Sequence, residues 1–407
     1  MPDSVMKYDV NRDCYKALLD SKVSSYLAIE PRVWHNSLLV SFPKKLNPEY
    51  GFLYLSSGDN DHHDMHPQIK HLRDHTNTVV AQLRILTNGP LIDKNSGKII
   101  SEDHAIALSW KRYLQTQSES ELIQLQLQEL VSKVIDLIEC SVRDLKGLRL
   151  KGLVISGQSK RAQLCWLSAS KDKRIIGIIP MVYDLLNIRA NMGHHFKIYG
   201  FWADALAPYY EHDIPSFIDS HEFTQLAKLI DPYFFREKLK IPKYIINAAN
   251  DEYFLPDSSQ HYYKSFQGEK GLRYLPNHGH RLEDQGMNYW QDVNAAFQLM
   301  LRGIKFPEIQ WQMKDDELSI SYQGEPFDAY LWQATANQRD FRFGPAYPQF
   351  TSRKICNLEG GNLSIRPQKM LGKWEAFFVE FIYYFTECQI KLSTTTDIFI
   401  LNHQELL

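Results

Sequence analysis

Short apolar runs alternate with helical patterns over the first three-quarters of the chain. The runs are rich in Leu, Ile and Val, as buried parallel strands are. They predict strands at 38–42, 51–55, 79–85, 152–156, 175–181, 244–248 and 273–275. The segment 119–145 spaces its apolar residues three and four apart, which is typical of an amphipathic helix. Strands alternating with helices predict an α/β domain, with a mostly parallel sheet covered by helices.

Two parts of the chain depart from this alternation. The segment 184–232 is aromatic-rich, partly helical and longer than an ordinary connection in an α/β sheet, so we interpret it as an inserted helical cap. After the last predicted helix, strict alternation appears between turn residues. The alternating segments are 317–322, 329–334 and 374–384. We therefore predict an α/β domain over 1–305 and a small antiparallel, immunoglobulin-like β-sandwich over 306–407.

Composition excludes several classes of protein. The chain has 407 residues, of which 44% are hydrophobic and 23% charged, and these values are ordinary for a packed globular protein rather than a disordered one. Lys and Arg total 46 against 48 Asp and Glu, so no nucleic-acid partner is expected. The five cysteines lack CxxC spacing, which predicts reduced thiols rather than disulfides or a zinc site.

The sequence also carries an expectation about location. The N-terminus lacks a basic stretch followed by an apolar one, so we expect no Sec signal peptide. No apolar run is long enough for a transmembrane helix. These features predict a cytoplasmic protein, or one exported without a cleaved signal peptide.

Candidate chemistry begins with the segment 153–162, LVISGQSKRA, which predicts a strand, a tight turn and the start of a helix. This arrangement is typical of a nucleophile elbow, in which a strained serine needs small residues around it. Ser159 is then the nucleophile, with Gly157 and Ala162 supplying the space. Arg161 makes the motif GxSxR rather than GxSxG, so the motif is weak without its context.

The context is a suitable order of acid and base after the serine. A serine nucleophile needs a base and a carboxylate that orients the base, and in α/β-hydrolases they follow in the order Ser, Asp or Glu, His. Asp251 ends a predicted strand and is the expected acid, with Glu252 and Asp184 as alternatives. His280 follows a later strand and a glycine, and we expect it rather than His278 to be the base.

The tetrahedral intermediate of such a reaction needs two backbone N–H donors. Lys160, directly after the nucleophile, is expected to supply the first. The second is expected from the loop after the strand at 51–55, where Gly58 and Asp59 are the candidates. Further side chains that could contact substrate are Asn60 on this loop and His194 and His195 in the cap.

A histidine-rich and acidic tract at 59–75 raises a metal site as an alternative. His71 and His75 have the i,i+4 spacing of helical zinc ligands, but no Glu follows the first His as it does in such motifs. We therefore predict no metal and no other cofactor, and interpret the tract as a solvated loop or a rim that positions substrate. The adjacent His194 and His195 could equally be a structural pair.

Several further blocks carry a resemblance to a known family. They are Trp34-His35, Pro90-Leu91, Glu102-Asp103 with Trp110, His194-His195 with Tyr199-Gly200, Pro276-Asn277 with Gly279-His280, and the runs at 157–161, 180–187, 251–258, 331–335 and 339–342. In these blocks the chain resembles the PhoPQ-activated pathogenicity-related proteins from about residue 30 to 345. It departs in having Ala162 for a usual Gly and Ala249-Asn250 for a Thr-Gly pair, and we expect it to lack the family's frequent export leader. The resemblance implies an α/β-hydrolase fold.

Two functions from different classes follow. The leading hypothesis is a serine hydrolase that cleaves an ester, amide or peptide bond in a small substrate. The family resemblance implies such hydrolysis only loosely, because its members are known mainly through virulence, antimicrobial-peptide resistance and growth control. The alternative is a non-catalytic signalling or host-interaction protein, since a fold does not guarantee activity. In the C-terminal part we interpret Trp332, Arg339 and Arg342 as packing and salt-bridge residues, with the arginines as candidates to contact a host partner.

Overall fold

A computed structural model describes residues 7–9, 14–22, 27, 29–31, 33–45, 49–57, 64–85, 91–282, 287–356, 358–367 and 372–403. By residue contacts the chain divides into two compact units. The first unit consists of Met1–Pro180, Asn187–Met192 and Asp204–Leu239. The second unit consists of Met181–Leu186, Gly193–Ala203 and Lys240–Leu407.

The first unit contains a mixed β-sheet. The strands along this part of the chain are β1 (Lys7–Asp9), β2 (Cys14–Lys22), β3 (Ile29–Glu30), β4 (Val33–Ser41), β5 (Tyr50–Ser56), β6 (Val79–Arg84), β7 (Leu91–Asp93), β8 (Ile99–Ile100), β9 (Gly152–Gln158) and β10 (Ile175–Met181). Most of them lie side by side in the order β1-β2-β4-β6-β5-β9-β10, and β3, β7 and β8 form a separate small sheet. Pairing is antiparallel from β1 through β2 and β4 to β6, whereas β5 is parallel to both β6 and β9.

Seven α-helices are described between β5 and the end of the segment 184–232. They are α1 (Pro67–Thr76), α2 (Glu102–Thr116), α3 (Ile123–Lys146), α4 (Lys160–Lys171), α5 (Ile188–Tyr199), α6 (Ala207–Glu211) and α7 (His221–Ile230). The parallel pair of β5 and β6 is joined through α1, because parallel neighbours need a crossover connection. Helices α5 to α7 fall in the segment 184–232 that was predicted to be a helical insertion.

The long helix α3 shows why its pattern predicted it. Its buried residues recur every three or four positions, as one apolar face requires. They include Leu127, Val131, Val134, Ile138 and Val142. Gly147 follows the last residue of the helix, and its φ of 62° is the left-handed conformation common at helix C-termini. The predicted segment 119–145 differs mainly at its start, where Glu119–Glu121 form a 3-10 turn, and α3 ends one residue later than predicted.

The second unit contains a parallel strand pair and two antiparallel sheets. Its elements are β11 (Lys243–Ala248), β12 (Lys270–Leu275), α8 (Tyr289–Arg302), β13 (Ile309–Lys314), β14 (Glu317–Tyr322), β15 (Asp328–Ala336), β16 (Thr351–Lys354), β17 (Asn362–Ile365), β18 (Trp374–Phe385), β19 (Ile390–Thr395) and β20 (Phe399–Asn402). β11 is parallel to β12. One antiparallel sheet has the order β13-β14-β17, and the other has the order β16-β15-β18-β19 with β20 also on β18. Tyr322 of the first and Phe381 of the second have ring centroids 5.1 Å apart, so the sheets face each other.

Strand β12 is bonded to the C-terminal sheets through threonine side chains. The hydroxyls of Thr394 and Thr395 donate to the Leu272 carbonyl at 3.0 and 3.4 Å. The Tyr274 N–H donates to Thr395 Oγ1 at 3.0 Å. The Leu275 carbonyl accepts a hydrogen bond from the Ala249 N–H, which follows β11. The backbone N–H and C=O groups of the even-numbered residues of β12 therefore point away from β11. Because of these bonds, β11 and β12 belong to the same compact unit as the C-terminal sheets. The predicted domain boundary near residue 306 stays a prediction.

The predicted fold class is confirmed. The chain has an α/β-hydrolase fold, with a large mixed sheet and helices, followed by C-terminal antiparallel β-sheets. The sheet of the first unit is more mixed than predicted, because the N-terminal strands β1 and β2 pair antiparallel and were not predicted from the sequence. The immunoglobulin-like assignment stays a prediction. Within the described part of the chain, no helix combines the length and apolar character needed to cross a membrane.

Candidate active site

Ser159 lies in the first unit, between the end of β9 and the start of α4. Its φ of 55° and ψ of −126° lie outside the regions that residues with a side chain ordinarily occupy. Such strain persists only where the surrounding structure holds it, and it gathers at functional sites. A strained serine on a strand-to-helix turn has the backbone geometry of a nucleophile elbow. The strand, turn and helix predicted around Ser159 are therefore present.

Gly157 is the residue that lets this turn close. A Cβ at this position would lie 2.8 Å from Cβ of Arg161 and 3.0 Å from its carbonyl carbon. Carbon atoms in ordinary contact lie about 3.5–4.0 Å apart. Ala162 is completely buried on the same turn of α4, so it also has little room for a larger side chain. Small residues stand where the elbow needs them.

Arg161 has a role that the sequence did not reveal. Its guanidinium donates two hydrogen bonds to the carboxylate of Glu102, at 2.5 and 3.1 Å, and a third to the Ile85 carbonyl at 3.2 Å. Burial alone would raise the pKa of Glu102, but the charges of Arg161 and Lys160 lower it. Arg161 thus ties the elbow to the start of α2 and the end of β6. Arg161 and Glu102 both stand in the blocks that carry the family resemblance, which was the available signal.

Lys160 is the first residue of α4. An α-helix leaves its first N–H groups without partners inside the helix, so the backbone N–H of Lys160 is available beside Ser159. The side chain is held elsewhere, because its Nζ lies 3.2 Å from Asp103 Oδ2. Tyr209 donates to the other oxygen of Asp103 at 3.4 Å. The sequence prediction concerned only the backbone N–H, and this geometry is compatible with it.

The second N–H is expected from the loop that follows β5. Gly58, Asp59 and Asn60 lie outside the described residues, so their roles stay predictions. Of the histidine-rich tract, His71 and His75 lie on α1 with ring centroids 3.8 Å apart. Among the residues that the structure describes, which leave out 58–63, no three potential metal-ligating side chains come together.

In the second unit, His280 and Asp251 form a hydrogen-bonded pair. His280 Nδ1 lies 2.8 Å from Asp251 Oδ2. The other carboxylate oxygen accepts the N–H groups of Tyr253 and Phe254 at 2.8 and 3.3 Å. Asp251 is only 3% exposed, so its orientation is fixed by these bonds. A carboxylate held in this way sets the tautomer and orientation of the imidazole.

The neighbouring carboxylate of Glu252 holds a different part of the same histidine. Its Oε2 accepts the backbone N–H of His280 at 2.6 Å, so it does not bond the ring. A Cβ at Gly279 would lie 2.9 and 3.0 Å from the two carboxylate oxygens of Glu252, so a side chain here would push Glu252 away from the His280 N–H. The rings of Tyr253 and Phe254 pack on the imidazole at 4.3 and 5.6 Å. Of the expected acids, Asp251 is the one that bonds the His280 ring.

Asp184 and His278, the remaining candidates for acid and base, have different partners. Asp184 is buried and accepts hydrogen bonds from the hydroxyls of Tyr262 and Tyr274, both at 2.5 Å. Burial raises the pKa of Asp184 to about 8, although the tyrosine bonds oppose this shift. His278 is fully buried, and its Nδ1 lies 2.7 Å from the Pro276 carbonyl. Both residues therefore have structural contacts in the core of the second unit.

The two cap histidines differ in their surroundings. His194 Nε2 lies 3.0 Å from Asp257 Oδ2. His195 accepts the Ala203 N–H at 3.2 Å and stacks on Trp202. Burial, with the nearby Arg342 charge, lowers the pKa of His195 to about 4, so its ring is neutral at ordinary pH. His195 thus makes packing and backbone contacts, whereas His194 bonds the Asp257 carboxylate, and the substrate role of the two histidines stays a prediction.

The C-terminal side chains interpreted as packing and salt-bridge residues form such contacts. Arg339 donates to Asp257 at 2.7 Å, and Arg342 pairs with Asp340 at 2.5 Å. Trp332 donates its indole N–H to Glu380 at 2.7 Å.

Most of the chain resembles proteins that are already known. It is 29% identical over 385 residues to autocrine proliferation repressor protein A of Dictyostelium discoideum. The aligned region covers 88% of this chain and 78% of that protein. Acetyl xylan esterase 1 from Thermoanaerobacterium sp. JW/SL YS485 is a similar solved structure, with a TM-score of 0.46, 15% identity, and coverage of 74% of this chain and 88% of that chain. Acetyl xylan esterase from Paenibacillus sp. R4 has a TM-score of 0.48 and 12% identity, and the match covers 75% of this chain and 87% of that chain. At these TM-scores the likenesses say nothing about activity.

A family model gives the firmer result. The model described as PhoPQ-activated pathogenicity-related protein matches residues 13–342. The match includes the elbow at Ser159 and both members of the His280 and Asp251 pair. Since it spans most of the chain, this protein belongs to the PhoPQ-activated pathogenicity-related family.

Proposed function

We propose that this protein is a serine hydrolase that cleaves an ester, amide or peptide bond in a small substrate. In this proposal Ser159 is the nucleophile, His280 is the general base and Asp251 orients the base. The observation that carries the proposal is the strained backbone of Ser159 between a strand and a helix. Support also comes from the hydrogen bond between His280 and Asp251, and from the chain order of the three residues.

The proposed reaction has two halves. Ser159 Oγ attacks the carbonyl carbon of the substrate while its proton passes to His280 Nε2, and Asp251 stabilises the imidazolium through Nδ1–H. The tetrahedral intermediate collapses as His280 gives the proton to the leaving group, which leaves an acyl group on Ser159. Water then attacks the acyl carbonyl, with His280 again accepting and returning a proton.

The negative charge that forms on the carbonyl oxygen needs fixed donors. We assign the Lys160 N–H as one donor, because it follows Ser159 at the start of α4, where the helix dipole also favours negative charge. Gly58 or Asp59 would supply the other. In serine hydrolases generally, removing one such donor lowers kcat by about 100- to 1000-fold.

A second candidate function rests on one observation. The relative from Dictyostelium discoideum is named an autocrine proliferation repressor, and this name states no enzymatic activity. A signalling or host-interaction protein could keep the fold and bind a protein partner without catalysis. The location of the protein, cytoplasmic or exported without a cleaved leader, also stays a prediction under either function.

Covalent labelling separates the two candidates. We expect a fluorophosphonate probe to label the wild-type protein and not Ser159→Ala, because the probe reacts with an activated serine. Ser170→Ala is a matched control, since Ser170 lies on the same helix α4 and bonds only the Leu167 carbonyl in the described structure. Labelling of this control should equal that of wild type. A folded wild-type protein that takes up no probe would leave the non-catalytic candidate.

The same preparation tests the metal alternative. A triad of this kind uses no metal ion, so EDTA should leave labelling and ester hydrolysis unchanged. A loss that is restored by zinc would favour a role for the tract at 59–75 instead. Panels of esters and peptides would then identify which bond is cleaved.

A further inference from the structure

The loop between β15 and β16, residues 337–350, contacts the residue that precedes Asp251. Asn250 donates from Nδ2 to the carbonyls of Phe341 and Pro348, at 2.7 and 3.2 Å. The Asn250 carbonyl accepts the Phe343 N–H at 2.8 Å. Asn250 is 1% exposed, so these bonds are shielded from water. One buried asparagine thus ties this loop to the acid of the proposed triad.

The same loop also contacts the segment before His280. Asn277 donates from Nδ2 to the Phe350 carbonyl at 2.9 Å, and its Oδ1 accepts the Phe350 N–H at 2.7 Å. The side-chain amide therefore pairs with the backbone of Phe350 through two opposed bonds. Asn277 has a φ of 61°, in the left-handed region where asparagine is more readily tolerated than most residues.

The two asparagines are bonded to each other as well. The Asn277 N–H donates to Asn250 Oδ1 at 3.1 Å. The Asn250 N–H donates to the His278 carbonyl at 3.1 Å. Both Nδ2 hydrogens and Oδ1 of Asn250 are therefore in use. We call Asn250, Asn277 and their bonds to Phe341, Phe343, Pro348 and Phe350 the asparagine clamp.

The loop approaches His280 closely at a third point. A Cβ at Gly279 would lie 3.1 Å from Cβ of Phe343, so Phe343 occupies the space beside the residue that precedes His280. At its N-terminal end the loop places Arg339 on Asp257, six positions after Asp251 in the chain. The loop therefore contacts the chain on both sides of the acid and directly before the base.

We propose that the asparagine clamp holds Asp251 and His280 in hydrogen-bonding register, which makes Asn250 and Asn277 positioning residues. The two members of the pair follow different strands, β11 and β12, so their distance depends on what holds the two loops together. The clamp bonds both loops to each other and to one segment of the C-terminal part. Only the predicted change in kcat rests on the proposed function, whereas the predicted hydrogen-bond geometry does not.

The first test observes the His280 to Asp251 bond without any substrate. In full-length protein labelled with ¹⁵N-histidine, the shared Nδ1 proton should give a downfield ¹H resonance that disappears in His280→Gln. We expect Asn277→Gly to broaden this resonance through faster exchange with water, while glycine keeps the left-handed backbone. Asn250→Ala should act in the same way. A wild-type spectrum without this resonance at low temperature would contradict the clamp, because a held bond protects its proton.

Asn36→Ala is the matched control. Asn36 is a fully buried asparagine on β4, in the other unit, and its Nδ2 also donates to two backbone carbonyls, those of Leu19 and Trp34. Its substitution should lower the melting temperature and leave the His280 resonance unchanged. If the control broadens the resonance as much as Asn277→Gly, general loss of stability explains the effect and the proposal is wrong.

The second test uses turnover. Asn277→Gly should lower kcat on an ester substrate by about 10- to 100-fold with KM nearly unchanged, since misplacement of about 1 Å has an effect of that size. Asn277→Asp keeps the acceptor for the Phe350 N–H but turns a second acceptor toward the Phe350 carbonyl, so its kcat should fall as well. If wild type has no turnover, the proposed function fails but the resonance still tests the clamp. If Asn250→Ala does not fold, Asn277→Gly decides alone, and an unchanged resonance and kcat would overturn the proposal.

Discussion

Replacing Gly157 by alanine tests whether the elbow is as tightly closed as the structure describes. The new Cβ would lie 2.8 Å from Arg161 Cβ, 3.0 Å from the Arg161 carbonyl carbon and 3.1 Å from its oxygen. Two of these atoms are backbone atoms of α4, so no side-chain rotation relieves the contact. The start of α4 must move away from β9 by roughly 0.5 Å or more to reach ordinary carbon contact distances. That movement would also displace Ser159.

The cost of this movement can be bounded. Overpacking by one methyl group costs about 1–3 kcal/mol. Replacing glycine by alanine also restricts the unfolded chain, which stabilises by about 0.4–1 kcal/mol. We therefore expect the free energy of unfolding to fall by about 1.3 kcal/mol, and by no more than roughly 2.6 kcal/mol. The reactivity of Ser159 should fall more, by about 10- to 100-fold, because a displaced nucleophile loses its alignment.

Two assays measure these effects. Urea denaturation followed by circular dichroism gives the free energy of unfolding, and the rate of fluorophosphonate labelling gives the reactivity of Ser159. Gly193→Ala is a control of opposite sign. A Cβ at Gly193 meets nothing within 4 Å, and the residue lies inside α5, so alanine should stabilise by about 0.5–1 kcal/mol. Gly157→Ala with wild-type stability and wild-type labelling would refute the tight elbow.

Two further substitutions test charges away from the serine itself. Arg161→Met leaves Glu102 without its bidentate partner in a buried site, so we expect urea denaturation to show a loss of about 3–5 kcal/mol; a loss under about 1 kcal/mol would contradict a structural role. Asp184 has a folded-state pKa raised from 3.8 to about 8 by burial, so its stabilising contribution is complete below its unfolded pKa and is lost as pH rises toward 8. Asp184→Asn should flatten that decline in melts recorded between pH 4 and 8, and an unchanged pH profile would show that Asp184 is ionised throughout.

Strands were predicted well where the sequence was either continuously apolar or strictly alternating between apolar and polar residues. The predicted segments 175–181 and 317–322 coincide with β10 and β14, because one is a continuous apolar run and the other alternates strictly. β2 and β19 were missed. Their sequences, CYKALLDSK and IKLSTT, carry polar residues that hide the strand period. In β19 two of these polar residues are the threonines that bond the backbone of β12.

Only part of the candidate site could be predicted from the sequence. Asp251 and His280 could be named because a known fold fixes their order along the chain, and their hydrogen bond lies within one unit. The contacts that hold the neighbouring backbone could not be named. Arg161 and Glu102 are 59 positions apart, and Asn250 and Phe341 are 91 apart. No local period or motif joins such residues, because only the folded chain brings them together.

The threonine bonds to β12 have a consequence for any shortened form of this protein. An open strand edge presents unpaired N–H and C=O groups, which are a template for intermolecular pairing and aggregation. Here Thr394 and Thr395 cover groups of that kind on Leu272 and Tyr274. A chain ending near residue 305 would expose them to neighbouring molecules. We therefore expect the C-terminal sheets to protect this edge against self-association, and an α/β part without them would need a different cover to remain soluble.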